Sequence, residues 1–310
     1  MKILLATDGS PSAKAAEALA AGIRWPAGTE IEVLCVDQLI GDEIDLPPRR
    51  LAAAHATLGQ EIDDRLSALV SRLSGLGRTV RGRVIFGRPA SVIVDEASDL
   101  SSELVIIGSH NYGALASFTL GSVAAEVVDH APCPVLVARR STLGPIVLGH
   151  DRSEGARLAE ELVSKWAFLA VEAVRVVSVS PLLPPWYATI ETGMGPVTDG
   201  GFSQELLEER RADSQRTAEA AAARLRERGV KATAEARDGA PVDGLLNAIT
   251  AMDAQLIVVG SRGNTGLVRL LVGSVARSLL YRAHCSVLIV RDVKPVARTL
   301  RARDHATAKI

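Results

Sequence analysis

The residues best suited to chemistry in this chain form a glycine-rich loop in its second half. Gly260 and Gly263 are followed, after nine residues, by Gly273 and Ser274. A short aliphatic run precedes the loop, and a predicted helix begins at Ser274. Glycine allows close approach to the backbone, and the free N–H groups of a helix N-terminus attract phosphate. The spacing therefore predicts a phosphate-binding loop; the alternative is a loop whose glycines serve only turns.

The setting of this loop occurs twice in the chain. Residues 3–10 return as residues 146–153, and residues 103–109 return as residues 255–261. The offset between the copies grows by nine residues from the first pair to the second, which indicates a net insertion in the second copy. We place the insertion in the Pro- and Gly-containing stretch 181–201. An internal repeat of this length predicts one domain used twice.

The repeat predicts domains at 1–140 and 145–292, followed by a basic tail at 293–310 that is either disordered or a weak contact for anions. Short aliphatic runs bounded by turn residues predict strands, which in the first copy lie near 2–7, 31–36, 80–85, 103–107 and 134–138. Helical segments alternate with them. Each copy is therefore expected to be an α/β, Rossmann-like domain with a doubly wound, five-stranded parallel sheet, whose ligands bind beyond the carboxyl ends of the strands.

Composition narrows the class of protein. Thirty-five basic and 36 acidic residues give a net charge of −1, which provides no field for nucleic acid or an anionic membrane. No apolar run is long enough to span a bilayer. Three cysteines do not make a disulfide framework, which favours a reducing, cytoplasmic setting. Cys133 and Cys285 occupy matching positions and are interpreted as buried structural residues rather than redox sensors.

The second copy resembles the universal stress protein family in its ATP-binding branch. That family's motif is G-x-x-G, nine residues, then G-[S/T], and it is matched fully by Gly260, Gly263, Gly273 and Ser274. The resemblance extends over nearly the whole chain. It implies an adenine nucleotide hydrolase-like fold in which ATP is held by the loop after the fourth strand of each domain.

The first copy matches the same motif at Gly108, Gly121 and Ser122, but Asn111 stands where the second glycine belongs. Asparagine tolerates left-handed backbone better than most residues, so the turn is expected to survive. Its side chain would still occupy space near the phosphates. Nucleotide binding in the first copy is thus expected, at a site that differs from the second.

The resemblance assigns further contacts outside the loops. The family has an aspartate at the end of the first strand, matched by Asp8 and Asp151, and contacts adenine through the backbone after the second strand, at Val36 and Val179. Each aspartate either contacts ribose or a phosphate-bound Mg²⁺, or only caps a helix. The implied cofactor is ATP, with Mg²⁺ as an open addition.

Four other residues have open alternatives. Arg152 replaces the glycine seen at Gly9 and either contacts phosphate or crowds the site. Arg262, inside the glycine loop, either pairs with phosphate or is a solvated charge. Trp186 and Tyr187 either cover the adenine or belong to an exposed loop.

The leading functional hypothesis is an ATP-binding stress-response regulator that acts as a sensor or switch. The chain has no P-loop lysine and no kinase signature, so slow hydrolysis is the most that we expect. The S-G-G-x-D-S loop of related hydrolase-like enzymes is not matched by residues 6–10. The alternative is a nucleotide-independent interaction module of the same family.

The resemblance also bears on assembly. Family members dimerise through the edge formed by the last strand, here 134–138 and 286–290. A homodimer through these strands is expected, and a tandem chain could also pair them within itself. The regulatory protein partner is unknown.

Overall fold

A computed structural model describes residues 1–37, 48–75, 77–109, 120–170, 172–180, 204–263 and 272–291. The chain divides into two compact units. Unit 1 contains Met1–Leu143 together with the chain from His284 onward, and unit 2 contains Gly144–Ala283. The expected tail at 293–310 lies outside the described residues.

Unit 1 alternates strands and helices along the chain. Its elements are β1 (Lys2–Thr7), α1 (Pro11–Gly22), β2 (Glu30–Asp37), α2 (Pro48–Leu73), β3 (Thr79–Phe86), α3 (Pro89–Asp99), β4 (Leu104–Gly108), α4 (Ser122–His130), β5 (Val135–Ala138) and β10 (Ser286–Val290). The strand order is β3-β2-β1-β4-β5-β10, and the first five strands are parallel. The five strands predicted for the first copy are confirmed to within one residue at each end.

The central strands of unit 1 are buried on both faces. Leu4 and Leu5 in β1 and Val105 and Ile106 in β4 have no solvent exposure, which explains why these strands read as continuous aliphatic runs. Helix α1 begins after Ser10, whose hydroxyl accepts a hydrogen bond from a backbone amide of the first turn at 3.2 Å.

Unit 2 repeats the pattern. Its elements are β6 (Ile146–Gly149), α5 (Glu154–Lys165), α6 (Ala167–Ala170), β7 (Val174–Ser180), α7 (Gln204–Glu227), β8 (Ala232–Asp238), α8 (Pro241–Met252), β9 (Leu256–Gly260) and α9 (Ser274–Arg282). The four strands are parallel, in the order β8-β7-β6-β9. The stretch 181–201, with Trp186 and Tyr187, lies outside the described residues. Among the described helices of the chain, none is long and apolar enough to cross a membrane.

In both units the first strand lies between the second and the fourth. β1 pairs with β2 and β4, and β6 pairs with β7 and β9. The chain therefore changes direction across the sheet at this strand, and the predicted doubly wound architecture is confirmed. A crevice opens at such a switch point, beyond the carboxyl ends of the strands.

The last strand among the described residues adds to the sheet of unit 1. β10 runs antiparallel to β5, with Leu288 opposite Leu136, and the Ser286 hydroxyl accepts hydrogen bonds from the amides of Arg139 and Arg140, each at 3.1 Å. β5 therefore has a neighbour on each side, β4 and β10. The homodimer expected through 134–138 and 286–290 stays a prediction.

Arg291, the residue after β10, joins this strand to the end of α4. Its guanidinium donates to the carbonyl oxygens of Ala131 at 2.9 Å, of Asp129 at 3.3 Å, and of Val128. These are backbone acceptors at a helix C-terminus, where a cation is favourable. Arg291 thus holds the end of α4 against the strand that arrives last in the sequence.

Removing this guanidinium should destabilise unit 1. We expect Arg291→Ala to lower the free energy of unfolding by about 1–3 kcal/mol, because partly buried carbonyls lose a charged donor. Denaturant titration followed by circular dichroism measures the loss. The matched control is Arg282→Ala, which removes an ion pair whose two side chains are 53% and 55% exposed and should change stability by less than about 0.5 kcal/mol. Equal losses in the two variants would contradict the role given to Arg291.

Candidate functional site

A cavity of about 240 Å³ lies at the carboxyl ends of β6 and β9 in unit 2. Its walls come from the turn after β6, the end of β7, the start of α8 and the loop between β9 and α9. All six residues that the sequence assigned to this half line it: Asp151, Val179, Gly260, Gly263, Gly273 and Ser274. The structure thus brings the predicted residues of the second copy together.

Gly260 is required by a backbone contact. A Cβ atom there would lie 2.7 Å from the Cα of Gly155 in α5, closer than real Cβ contacts. A Cβ on Gly155 would in turn overlap the carbonyl oxygen of Arg262. Gly260 is not among the described glycines with positive φ. It therefore serves close approach of the loop to α5 rather than a left-handed turn.

Gly263 places a bare backbone beside the predicted aspartate. A Cβ on Gly263 would lie 3.0 Å from Oδ2 of Asp151, while Oδ1 of Asp151 accepts a hydrogen bond from the Ser153 amide at 3.0 Å. In unit 1, Oδ1 of Asp8 accepts the Ser10 amide at 2.9 Å in the same way. Each carboxylate therefore binds the amide of the N-cap residue, while Ser10 and Ser153 themselves cap the first helical turns. Contact of either aspartate with ribose or a phosphate-bound Mg²⁺ stays a prediction. In unit 2 the other oxygen lies on the side of the glycine loop.

Two of the helix N-termini at the cavity walls follow a glycine and have no side-chain cap. α4 begins after Gly121 and α9 after Gly273, and neither N-cap has a side chain that accepts a hydrogen bond from the helix. In contrast, α1 and α5 are capped by Ser10 and Ser153. The first-turn N–H groups of α4 and α9 are thus positioned to interact with an anion.

The cavity of unit 1 occupies the corresponding place and measures about 190 Å³. Asp8, Val36, Gly108 and Gly121 line it. Ser122 is the first residue of α4, next to this lining, but is not itself among the lining residues described. Asn111 belongs to residues 110–119, which lie outside the described part of the chain.

Sequence reasoning missed one wall of each cavity. The start of α3 contributes Pro89 and Ile93 in unit 1, and the start of α8 contributes Pro241 and Leu245 in unit 2. The sequence did contain a signal: Gly87 and Pro89 in the first copy return at the same spacing as Gly239 and Pro241 in the second. That spacing marks equivalent turns, but it does not say that the helix behind them faces the site.

Arg152 follows neither of the two alternatives considered for it. Its φ of 66° is left-handed, like the 71° of Gly9, and its side chain is directed to α7. Nε donates to Thr217 Oγ1 at 2.6 Å, and Nη2 lies 2.6 Å from Asp213 Oδ1. Arg152 is not among the residues that line the cavity. A left-handed arginine costs about 1–2 kcal/mol, which these contacts offset.

His150 adds a buried polar group that the sequence did not single out. It lines the cavity, its side chain is 2% exposed, and Nε2 lies 3.2 Å from Oε2 of Glu160, although the N–H is not well aligned on that oxygen. Arg224 binds both oxygens of Glu160 at 2.7 Å. Burial alone would raise the pKa of Glu160, but the contacts with Arg224 and His150 outweigh it and lower the pKa to about 2. This carboxylate is therefore ionised throughout the physiological range.

The cysteines have no disulfide partner. Cys133 and Cys285 are fully buried, and burial raises the pKa of the Cys133 thiol to about 12. A protonated, inaccessible thiol is a poor nucleophile, which agrees with a structural role. Within the described residues, no group of three His, Cys, Asp or Glu side chains is placed to hold a metal ion.

The repeated cavity and loop agree with what comparison with known proteins shows. The sequence model of the universal stress protein family matches residues 1–139 and 143–291. The chain belongs to the universal stress protein family. It is a tandem member, since two matches follow one another along the chain. The second match, residues 143–291, includes β10, whereas in the structure β10 belongs to unit 1.

Similar universal stress proteins include tandem and shorter forms. One of Mycobacterium tuberculosis is 26% identical over 307 residues, which covers 94% of this chain and 96% of that protein. One of Thermus aquaticus is 33% identical over 143 residues, which covers 44% of this chain and 97% of that protein.

Solved structures share the fold. A universal stress protein from Archaeoglobus fulgidus has a TM-score of 0.59 and 18% identity, covering 94% of this chain and 98% of its own. A functionally unknown protein from Pseudomonas aeruginosa has a TM-score of 0.60 and 20% identity, covering 94% and 92%. At these identities the likeness concerns the α/β fold alone.

The lowered pKa of Glu160 makes part of the stability depend on pH. In the folded chain the pKa of this carboxyl is about 2, whereas the ordinary pKa of a glutamate is 4.5. The stabilisation is therefore complete above pH 4.5 and is lost as the pH falls from there toward 2, by on the order of 2 kcal/mol.

We expect Glu160→Gln to abolish this pH-dependent part of the stability. The free energy of unfolding of the variant should therefore fall less steeply, between pH 4.5 and pH 2, than that of the unmodified protein. Urea titrations at several pH values measure the slopes. Glu161→Gln, an exposed neighbour on α5, is the control and should retain the original slope. Parallel slopes for Glu160→Gln and the unmodified protein would refute the assignment.

Proposed function

We propose that this universal stress protein binds ATP in both cavities and acts in the cytoplasm as a nucleotide-responsive sensor or switch rather than as a turnover enzyme. Membership of the family makes it a stress-response protein. The observation that carries the proposal is the pair of uncapped helix N-termini, α4 and α9, each following a glycine-rich loop at the switch point of a parallel sheet. This arrangement favours a phosphorylated ligand.

Apolar side chains on one side of each cavity suit a flat heterocycle. Leu34, Val36 and Ile93 provide this surface in unit 1, and Val179 and Leu245 provide it in unit 2. Cavity volumes of about 190 and 240 Å³ are somewhat below the roughly 300–1,000 Å³ typical of small-molecule pockets. Such volumes fit a ligand whose base is enclosed while its phosphates extend over the loop.

The phosphates would be held mainly by backbone groups. In unit 2 the Gly273 amide donates to the Ser261 carbonyl at 2.7 Å, and in unit 1 the Gly121 amide donates to the Ser109 carbonyl at 2.7 Å. These bonds close the glycine loop onto the helix N-terminus. They leave the following amides of α4 and α9 as donors for phosphate oxygens. Arg262 lies on the same wall of unit 2 and adds a positive charge.

Magnesium fits these residues only as a companion of the nucleotide. Among the residues described as lining the cavities, Asp8 in unit 1 and Asp151 in unit 2 are the carboxylates, one in each. Mg²⁺ prefers several oxygen ligands in octahedral geometry, so phosphate oxygens and water would supply the rest. No part of the proposed function requires a metal site built by the protein.

The lining residues of the unit 1 cavity offer little for rapid turnover. In unit 1 the polar side chains on the cavity wall are Thr7 and Asp8. Thr7 donates its hydroxyl proton to Glu17, and Oδ1 of Asp8 accepts the Ser10 amide. Neither group is placed as a general base beside an activated nucleophile. This supports a binding role with slow hydrolysis at most.

Identification of the bound ligand tests the proposal directly. Freshly purified protein is denatured, the released small molecules are identified by mass, and ATP is titrated into the emptied protein by calorimetry. We expect adenine nucleotide and two sites per chain. One site per chain would restrict the proposal to one unit and leave the other as a nucleotide-independent interaction surface. If no adenine nucleotide is released and ATP does not bind at millimolar concentration, the proposal is refuted.

Substitution of Gly273 locates the second site. A Cβ here would lie 3.4 Å from the Ser261 carbonyl oxygen, an ordinary contact, so Gly273→Ala should fold and retain most of its affinity. Gly273→Glu adds bulk and negative charge at the helix N-terminus, and we expect it to abolish binding in unit 2. Gly121→Glu should do the same in unit 1. If Gly273→Glu still binds two ATP molecules per chain, unit 2 does not use this loop.

A further inference from the structure

A chain of polar contacts runs from the turn after β6 to α7 in unit 2. The backbone amide of Arg152 donates to Nδ1 of His150 at 3.4 Å. Since a backbone N–H can only donate, Nδ1 is the acceptor and the ring proton is on Nε2, on the side of Glu160. Nε2 lies 3.2 Å from Oε2 of Glu160, and Arg224 of α7 binds both oxygens of that carboxylate at 2.7 Å. We call His150, Glu160 and Arg224 the turn anchor of unit 2.

Unit 1 has the same chain of contacts with a hydroxyl in place of the imidazole. The amide of Gly9 donates to Oγ1 of Thr7 at 3.2 Å, and that hydroxyl donates to Oε1 of Glu17 at 2.7 Å. Nη2 of Arg72, in α2, lies 3.0 Å from Oε2 of Glu17. Thr7, Glu17 and Arg72 form the turn anchor of unit 1.

The two turn anchors are equivalent members of the repeat. Positions 7 and 150, and positions 17 and 160, differ by the 143 residues that separate the first strands. Positions 72 and 224 differ by the 152 residues that apply after the insertion. The first member differs in type, Thr7 in unit 1 and His150 in unit 2, yet keeps both of its contacts.

What the two anchors share is the glutamate, the arginine and the pattern of contacts.

The turn that each anchor holds is left-handed. Gly9 and Arg152, whose amides are bound, have φ values of 71° and 66°, a region that L side chains rarely adopt. The same turns carry Asp8 and Asp151 into the cavities. Glycine adopts this conformation freely, but an arginine keeps it only when its surroundings hold it in place.

We propose that the turn anchors are positioning groups for the nucleotide sites: they fix the aspartate-bearing turn and connect it to α2 in unit 1 and to α7 in unit 2. This inference rests on the proposed function. Because ligand binding and helix position act on the same turn, a partner that displaces α2 or α7 weakens nucleotide binding. By reciprocity, bound nucleotide holds the helix in place.

The two units differ in how firmly the helix is connected. In unit 2 the side chain of Arg152 also reaches α7, through Thr217 and Asp213. The turn of unit 2 is thus tied to α7 at two points, through the anchor and through Arg152. Gly9 has no side chain with which to make the connection that Arg152 makes in unit 2.

Two arginines near the end of α7 provide a matched test in unit 2. Arg224 reaches Glu160, and Arg228 donates to the Ser164 hydroxyl at 2.8 Å; both link this region to α5, but only Arg224 belongs to the anchor. In the full chain carrying Gly121→Glu, we expect Arg224→Ala to weaken ATP binding by about threefold to tenfold. Arg228→Ala should stay within about twofold. Equal effects of the two variants would overturn the proposal.

A hydroxyl deletion in unit 1 gives a second test that does not depend on Arg224→Ala folding. Thr7→Val removes both contacts of the hydroxyl while preserving side-chain shape, and Thr7→Ser restores them. We expect faster hydrogen exchange of the Gly9 amide in Thr7→Val, and slower exchange again in Thr7→Ser, in ligand-free protein labelled with ¹⁵N-glycine. Thr29→Val, which deletes a buried hydroxyl bonded to the Pro26 carbonyl, is the control and should leave Gly9 unchanged.

The exchange measurement separates this inference from the proposed function. If the unmodified chain binds no ATP, the proposed function fails, and the amide of Gly9 still reports whether the anchor holds the turn. If ATP binds but Thr7→Val and Thr7→Ser show the same exchange and the same affinity in unit 1, the anchor is not a positioning group.

Discussion

Each site depends on a backbone contact that leaves no room for a side chain. In unit 2 the loop after β9 lies directly on the first turn of α5, where Gly260 meets Gly155. In unit 1 a Cβ on Gly108 would lie 2.7 Å from the carbonyl oxygen of Ser12 in α1. Because the first and fourth strands are neighbours, the turn after one and the loop after the other must emerge side by side. Glycine lets them touch, and the cavity and the helix N-terminus follow from that contact.

Much of this arrangement could be predicted from local sequence. Strands buried on both faces are continuous aliphatic runs, and segments 3–10 and 103–109 return in the second half, so the α/β fold and its repeat could be predicted. The glycine spacing indicated which loop borders the cavity of unit 2. The sequence indicated that a group approaches the backbone of Gly260, but it did not identify that group, which is Gly155 in a helix more than a hundred residues earlier.

What the sequence did not reveal depends on pairs of residues far apart in the chain. Arg152 and Asp213 are 61 residues apart, and Glu160 and Arg224 are 64 apart. Their pairing depends on where α7 packs, which no local pattern encodes. The walls formed by α3 and α8 were missed for the same reason: a helix start is visible in sequence, but the direction that its first turn faces is set by the sheet beneath it.

The placement of β10 has a consequence for synthesis. β5 leaves the ribosome about 150 residues before the strand that covers its edge, a delay on the order of ten seconds at typical elongation rates. During that interval four fully buried residues, Val135–Ala138, have a free edge capable of pairing with another nascent chain. A tandem arrangement that supplies the missing neighbour from its own far end therefore makes completion of the first half wait for translation of the second.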